Sequence, residues 1–303
     1  MTSSRLRISQ GGPEFSRTAH GLWRLKDWGK NRAEIKEMIH ACLELGITTF
    51  DHADIYGDYT CEGLFGAALA ESSVRRTDIE LVTKCGIRLV SGNRPENSVK
   101  HYDTSASHII SSVEKSLKNL RTDYIDLLLI HRPDPLMNAQ EVAEAFSRLR
   151  QSGKVLHFGV SNFLPSQFEM LSSQMDFPLV TNQIEFSVLD MEAQDNGMLD
   201  MCQKLSTSPM AWSPLGGGRF FKEHGEQIVR LRKALEDIAE ELGDASIDQI
   251  ALAWILNHPA DFVVVLGTGN LDRIRKAVEA EKIKLTREQW FTIWTASTGH
   301  DVP

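Results

Sequence analysis

The chain has 303 residues, with 33 Lys and Arg against 41 Asp and Glu and a formal net charge of -8, a balance that repels polyanions and excludes nucleic acid and anionic lipid as the expected partners. Apolar residues make up 42% and charged residues 24%, with a mean hydropathy of -0.24, so a folded chain with a large core is expected and a disordered one is not. No apolar run has the length of a membrane span or a secretory signal, and Cys42, Cys61, Cys85 and Cys202 form no C-x-x-C pair; a cytoplasmic protein with reduced thiols is expected.

Read in chain order, residues 8–16, with Gly11, Gly12 and Pro13 as turn formers, predict a hairpin or plug at one end of the fold. Strand-type runs then alternate with helical patterns, at 21–23, 48–51, 79–84, 125–131, 157–161, 180–183, 209–212 and 262–266. The run from Ile125 to Ile130 is almost continuously apolar, as a parallel strand covered on both faces should be. Val142, Ala145, Phe146 and Leu149 predict a helix over 141–152, stopped by Gly153. Ser246 and Gln249 have capping-box spacing and open a helix that must end before Pro259; a last helix after Thr286 carries Trp290, Ile293 and Trp294. Two connections are too long for a minimal barrel, the polar 88–103 and the Gly-rich 216–225. Eight β/α units without a compositional break predict one α/β domain over residues 1–303, a (β/α)8 TIM barrel.

Barrel enzymes build their sites at the C-terminal strand ends, and there the sequence places a carboxylate, a phenol, an ammonium and an imidazole: Asp51, Tyr56, Lys84 and His131. Singly each has a structural explanation; jointly they describe a tuned proton donor. Lys84 is expected to lower the pKa of Tyr56, Asp51 to keep Lys84 charged, and His131 to bond the substrate oxygen or relay the proton. The task that fits is protonation of a developing alkoxide. A metal-dependent barrel hydrolase using Asp51, His52, Asp54 and His131 is a distant alternative, because the later strands offer no further histidines; no metal ligands are assigned.

The chain resembles the aldo-keto reductases over nearly its full length, through Asp51-x-Ala53-x-x-Tyr56, Glu62 with Gly66, Lys84, His131-x-Pro133-Asp134, Gly159-Val-Ser161-Asn162, Asn182-Gln183 and Ser213-Pro-Leu-Gly-Gly-Gly218 in order. The strings FDHADIYG, LLLIHRPDPLM and MAWSPLGGGR resemble its bacterial YdhF-like branch. The resemblance implies a nicotinamide cofactor held on the barrel without a Rossmann domain, and no G-x-G-x-x-G unit is present. It implies that Trp212, where the family has Tyr, stacks on the nicotinamide, that Ser161, Asn162 and Gln183 hold its carboxamide, and that Gly21, Trp23 and Asp51 also border the cofactor. Ser213, Leu215 and Gly217 would follow the pyrophosphate, and Gly267, Thr268 and Arg273 the 2′-phosphate, which favours NADPH over NADH. Lys276 and Ala277 stand where the family has Glu and Asn against adenine, a departure.

The expected activity is reduction of aldehydes or ketones by hydride transfer from nicotinamide C4, with Tyr56 as general acid and Trp23, Trp28, Tyr59 and the 88–103 loop as substrate contacts. The expected partner is a small-molecule carbonyl compound, and the resemblance favours a monomer. A cofactor-holding redox sensor or partner-binding subunit with little turnover is the other reading.

Overall fold

The computed structural model describes residues 2–243 and 245–303. Strands β1 (Thr18–Gly21), β2 (Thr49–Asp51), β3 (Glu80–Cys85), β4 (Ile125–Ile130), β5 (Val155–Ser161), β6 (Leu179–Glu185), β7 (Met210–Trp212) and β8 (Val263–Leu266) pair in parallel, in the order β6-β7-β8-β1-β2-β3-β4-β5, and close into a barrel. Helices α1 (Arg32–Glu44), α2 (Cys61–Ala70), α3 (Ala106–Leu120), α4 (Ala139–Gln151), α5 (Pro165–Ser172) and α6 (Met198–Lys204) cross between successive strands. Two helices, α7 (Glu226–Glu241) and α8 (Ile247–Leu256), lie between β7 and β8; α9 (Leu271–Glu279) and α10 (Arg287–Thr298) follow β8.

Local chemistry sets the helix ends. Asn31, Ser246 and Thr286 each form a capping box with the Glu or Gln three residues on, satisfying donors that the first turn leaves open. The first strand lies at Thr18–Gly21, earlier than the 21–23 expected from the apolar Leu22 and Trp23. Thr-Ala-His-Gly carries little strand signal, yet all four residues are buried, because a parallel strand is covered on both faces.

Alternation along the strands divides the core in two. Outward-facing residues such as Phe50, Leu128, Phe158 and Val264 meet the helices. Inward-facing Ala19, Val82, Leu127, Leu129, Val180, Met210, Val263 and Val265 fill the barrel with Ile8 and Phe15 of an N-terminal hairpin, Arg5–Arg7 against Glu14–Ser16. That hairpin is the expected plug, and each of its two buried apolar side chains, Ile8 and Phe15, contributes about 1.5–3 kcal/mol by leaving water. The 88–103 connection is a folded ribbon: Ile87–Arg88 pairs antiparallel with His101–Tyr102, and Arg88 bridges Asp103 at 3.1 Å. Among the described residues no helix is long and apolar enough to cross a membrane.

Candidate active site

The alternation that fills the barrel also delivers the polar side chains to its mouth. Val82 faces inward on β3, so Lys84 does too; Leu127 and Leu129 face inward on β4, so His131, two residues on, stands above them. Strand β6 reaches the same result through a bulge. Its register runs from Leu179↔Phe158 to Asn182↔Val160, one residue more than β5 supplies, which brings both Val180 and Gln183 inside although they are three apart.

At the centre Lys84 Nζ donates to both carboxylate oxygens of Asp51 at 2.8 Å, to the His52 carbonyl at 2.7 Å and to the Tyr56 hydroxyl at 3.2 Å. Gln183 Nε2 donates to Asp51 Oδ1 at 2.9 Å, and the His131 ring stands edge-on to Tyr56 with centroids 5.9 Å apart. The four expected residues therefore converge, with Gln183 as a fifth member. Burial alone would lower the pKa of Lys84, but pairing with Asp51 and Tyr56 outweighs it and holds the ammonium above its usual value.

Tyr56 corrects an expectation. Withdrawal of the phenol from water raises its pKa, and Lys84, which pulls the other way, does not overcome this. The phenol stays protonated and keeps the proton it would donate. Burial, followed by Lys84, Arg132 and Lys100, holds His131 well below the usual histidine value, so its imidazole is neutral. Among the described residues its Nδ1 has no hydrogen-bond partner.

The alternative metal set does not assemble. Asp51 is committed to Lys84 and Gln183, and His52 turns toward the helices, its ring 4.6 Å from that of Phe65. Asp54 Oδ1 is shielded and, among the described residues, without a hydrogen-bond partner, beside a separate polar cavity of about 360 Å³ bordered by Tyr59, Glu62, Arg88, Arg94 and His108.

Around the quartet, Ser161 Oγ donates to the Gln183 carbonyl at 2.8 Å and accepts from Asn162 Nδ2 at 2.8 Å. Asn162, at φ +60, accepts at its Oδ1 from Trp212 Nε1 at 2.9 Å. That lock needs an indole N–H at position 212. Gly21 ends β1 beside Asp51, where a Cβ would lie 2.8 Å from Val265, and Trp23 is 56% exposed on the rim. After Ser213, also at positive φ, and Leu215, the run Gly216–Gly218 has φ of 59°, 64° and 91°, a turn that only glycines make without strain; the Gly216 amide donates to the Ser213 carbonyl at 2.8 Å and the Gly218 amide to the Leu215 carbonyl at 3.2 Å.

Past β8, nothing lies within 4 Å of a Cβ built on Gly267; the Thr268 carbonyl is bonded to His20 at 3.0 Å, and Arg273 is exposed with no side-chain partner among the described residues. Asn270 caps the Asp272 and Arg273 amides, so an anion here would meet the Arg273 side chain and not the helix terminus. Ala277 is buried. Trp28 stacks on His20 at 5.6 Å and packs on Gly269, in the loop after β8. Tyr59, whose hydroxyl accepts from Leu89 N at 2.8 Å, ties the 88–103 ribbon to the Tyr56 turn.

Two rim cations were not singled out from sequence. Arg24 donates to the Gly217 carbonyl at 3.2 Å, joining the β1 and β7 loops, and Arg132 reaches from the end of β4 over the Trp212 ring. An arginine next to a strand-end His and before Pro was the available signal for the second.

The sequence profile of the Aldo/keto reductase family matches residues 19–297. The oxidoreductase YdhF of Escherichia coli is 51% identical, with 99% of each chain covered, and the 6-dehydroglucose reductase of Agrobacterium fabrum is 48% identical over 95% of this chain and 96% of that one. Among solved structures, the glycerol dehydrogenase of Gluconobacter oxydans superposes with a TM-score of 0.85 at 26% identity, covering 99% of this chain and 97% of that one. A barrel whose mouth gathers Asp51, Tyr56, Lys84 and His131, on a chain matched from end to end by such relatives, is an oxidoreductase belonging to the aldo/keto reductase family.

Proposed function

We propose that the enzyme reduces aldehydes or ketones to alcohols with NADPH, Tyr56 acting as the proton donor. The observation that carries this reading is the Lys84 ammonium, clamped by both Asp51 oxygens and 3.2 Å from the Tyr56 hydroxyl. The nicotinamide, when bound, supplies a hydride from C4 to the carbonyl carbon. Tyr56 gives its proton to the carbonyl oxygen, and Lys84 stabilises the phenolate left behind, a charge that burial would otherwise penalise. Asp51 keeps Lys84 charged and in place. His131, being neutral, offers one N–H to orient the carbonyl oxygen.

The donor set around the mouth fits the cofactor. Gln183 spends its amide nitrogen on Asp51 and retains Oε1 as an acceptor beside Ser161 and Asn162, for a carboxamide. Trp212, fixed by Asn162, presents a ring face. The side-chain-free Gly216–Gly218 turn lets a pyrophosphate approach the backbone closely, and the exposed Arg273, on the helix that follows Gly267 and Thr268, suits a 2′-phosphate, which supports NADPH over NADH. The Agrobacterium relative brings carbonyl sugars into the candidate substrate class. NADPH consumption measured against alcohol formed, over a panel of aldehydes and ketones, tests the reading: one-to-one conversion is expected, and tight NADPH binding with no turnover of any member contradicts it.

A further inference from the structure

Arg132 has a place at the mouth that the proton-transfer machinery does not use. It follows His131 directly, and its guanidinium carbon lies 5.3 Å from the Trp212 ring centroid, so the side chain reaches from the end of β4 toward that of β7. It is half-buried, and among the described residues its guanidinium has no hydrogen bond and no ion pair. The adjacent acids leave it unanswered. Asp134, two residues on, is committed to Thr104 Oγ1 at 2.8 Å and Leu136 N at 2.8 Å. Glu185, at the end of β6, interacts with Arg132 but stands beyond ion-pair distance.

A half-buried guanidinium that meets a ring face and, among the described residues, no hydrogen-bonding oxygen keeps its forked donors open, and that fork matches paired oxygen acceptors. The position also fixes what such an acceptor belongs to. Arg132 sits beside His131, whose ring is 5.9 Å from that of Tyr56, and its charge is felt at both. Lys100 adds a second positive charge toward His131. A group bound by Arg132 would therefore lie at the mouth that holds Tyr56 and His131, in a chain whose net charge is -8.

We infer that Arg132 is a specificity-determining residue that grips an oxygen acceptor of the substrate, carboxylate or hydroxyl, and so selects oxygenated aldehydes over apolar ones. The inference rests on the carbonyl-reductase reading and names the substrate class for it.

The test compares kcat/KM for glyoxylate, D-glyceraldehyde and butanal, with NADPH, in the wild-type enzyme and in Arg132→Leu and Arg132→Lys. In Arg132→Leu the ratio of oxygenated to apolar substrate should fall at least about tenfold, the scale of a lost hydrogen bond to a charged group. A fall for glyoxylate alone, rescued by Arg132→Lys, assigns charge pairing; a fall for both oxygenated substrates assigns hydrogen bonding by the fork; either supports the inference. Proportional losses on all three substrates would mean that Arg132 only props Trp212, and an unchanged ratio would overturn the inference while leaving the reductase reading intact. No NADPH consumption by the wild-type enzyme with any of the three would remove both.

Discussion

Replacing Lys84 with Met keeps most of a buried aliphatic stem and deletes the charge that the site is built around. The Lys84 and Asp51 side chains are 1% and 3% exposed, and Asp51 would keep only Gln183 as a donor. Removing one partner of a buried ion pair costs about 3–5 kcal/mol, a large share of the roughly 5–15 kcal/mol that holds a domain folded. With an unfolding entropy of about 2.1 cal/mol/K per residue over this chain, that loss lowers Tm by about 5–8 °C. Thermal unfolding of Lys84→Met, Asp51→Asn and the double variant checks this. The double variant should be less destabilised than the sum of the singles by at least about 2 kcal/mol, because no buried charge is left alone. Additivity within about 0.5 kcal/mol would refute the claim that the two residues form one buried unit.

Two further outcomes follow from the same structure. Burial and the neighbouring Glu62 hold the Asp54 carboxyl well above its usual pKa, so its contribution to stability is full below about pH 4 and is lost as pH rises through the folded value. Asp54→Asn should therefore gain in Tm over the wild type as pH is raised from about 4 to 8, and a gap that stays constant would contradict this assignment. Arg273→Ala should weaken NADPH binding about tenfold or more, the worth of a charge-assisted contact, while NADH affinity holds; equilibrium titration decides it, and unchanged NADPH affinity sinks the 2′-phosphate role.

The barrel was legible where the chemistry of the strands is strong. Ile125–Ile130 could be little else than a buried stave, and the approach of Asp51, Lys84 and His131 follows from strand ends in a closed parallel sheet. The first strand was misplaced because its four residues owe their burial to neighbours on both sides and not to their own hydrophobicity. Gln183 joined Asp51 through a bulge that no period-two reading contains. The sign of the Tyr56 shift depended on desolvation, a property of the assembled mouth, whereas the sequence showed only the lysine. Trp28 was legible as an aromatic near the site, but its stacking on His20 was not, since it depends on how the loops after β1 and β8 meet.

The most direct measurement is steady-state NADPH oxidation with a reducible aldehyde by wild-type enzyme and Tyr56→Phe, alongside the NADPH dissociation constant of each. The substitution removes one hydroxyl, 3.2 Å from Lys84, and leaves Asp51, Lys84 and Gln183 bonded to one another. General-acid catalysis is worth about 10²–10⁴-fold, so turnover should fall by that factor while NADPH binding is unchanged. Turnover within about twofold of wild type would contradict Tyr56 as the proton donor.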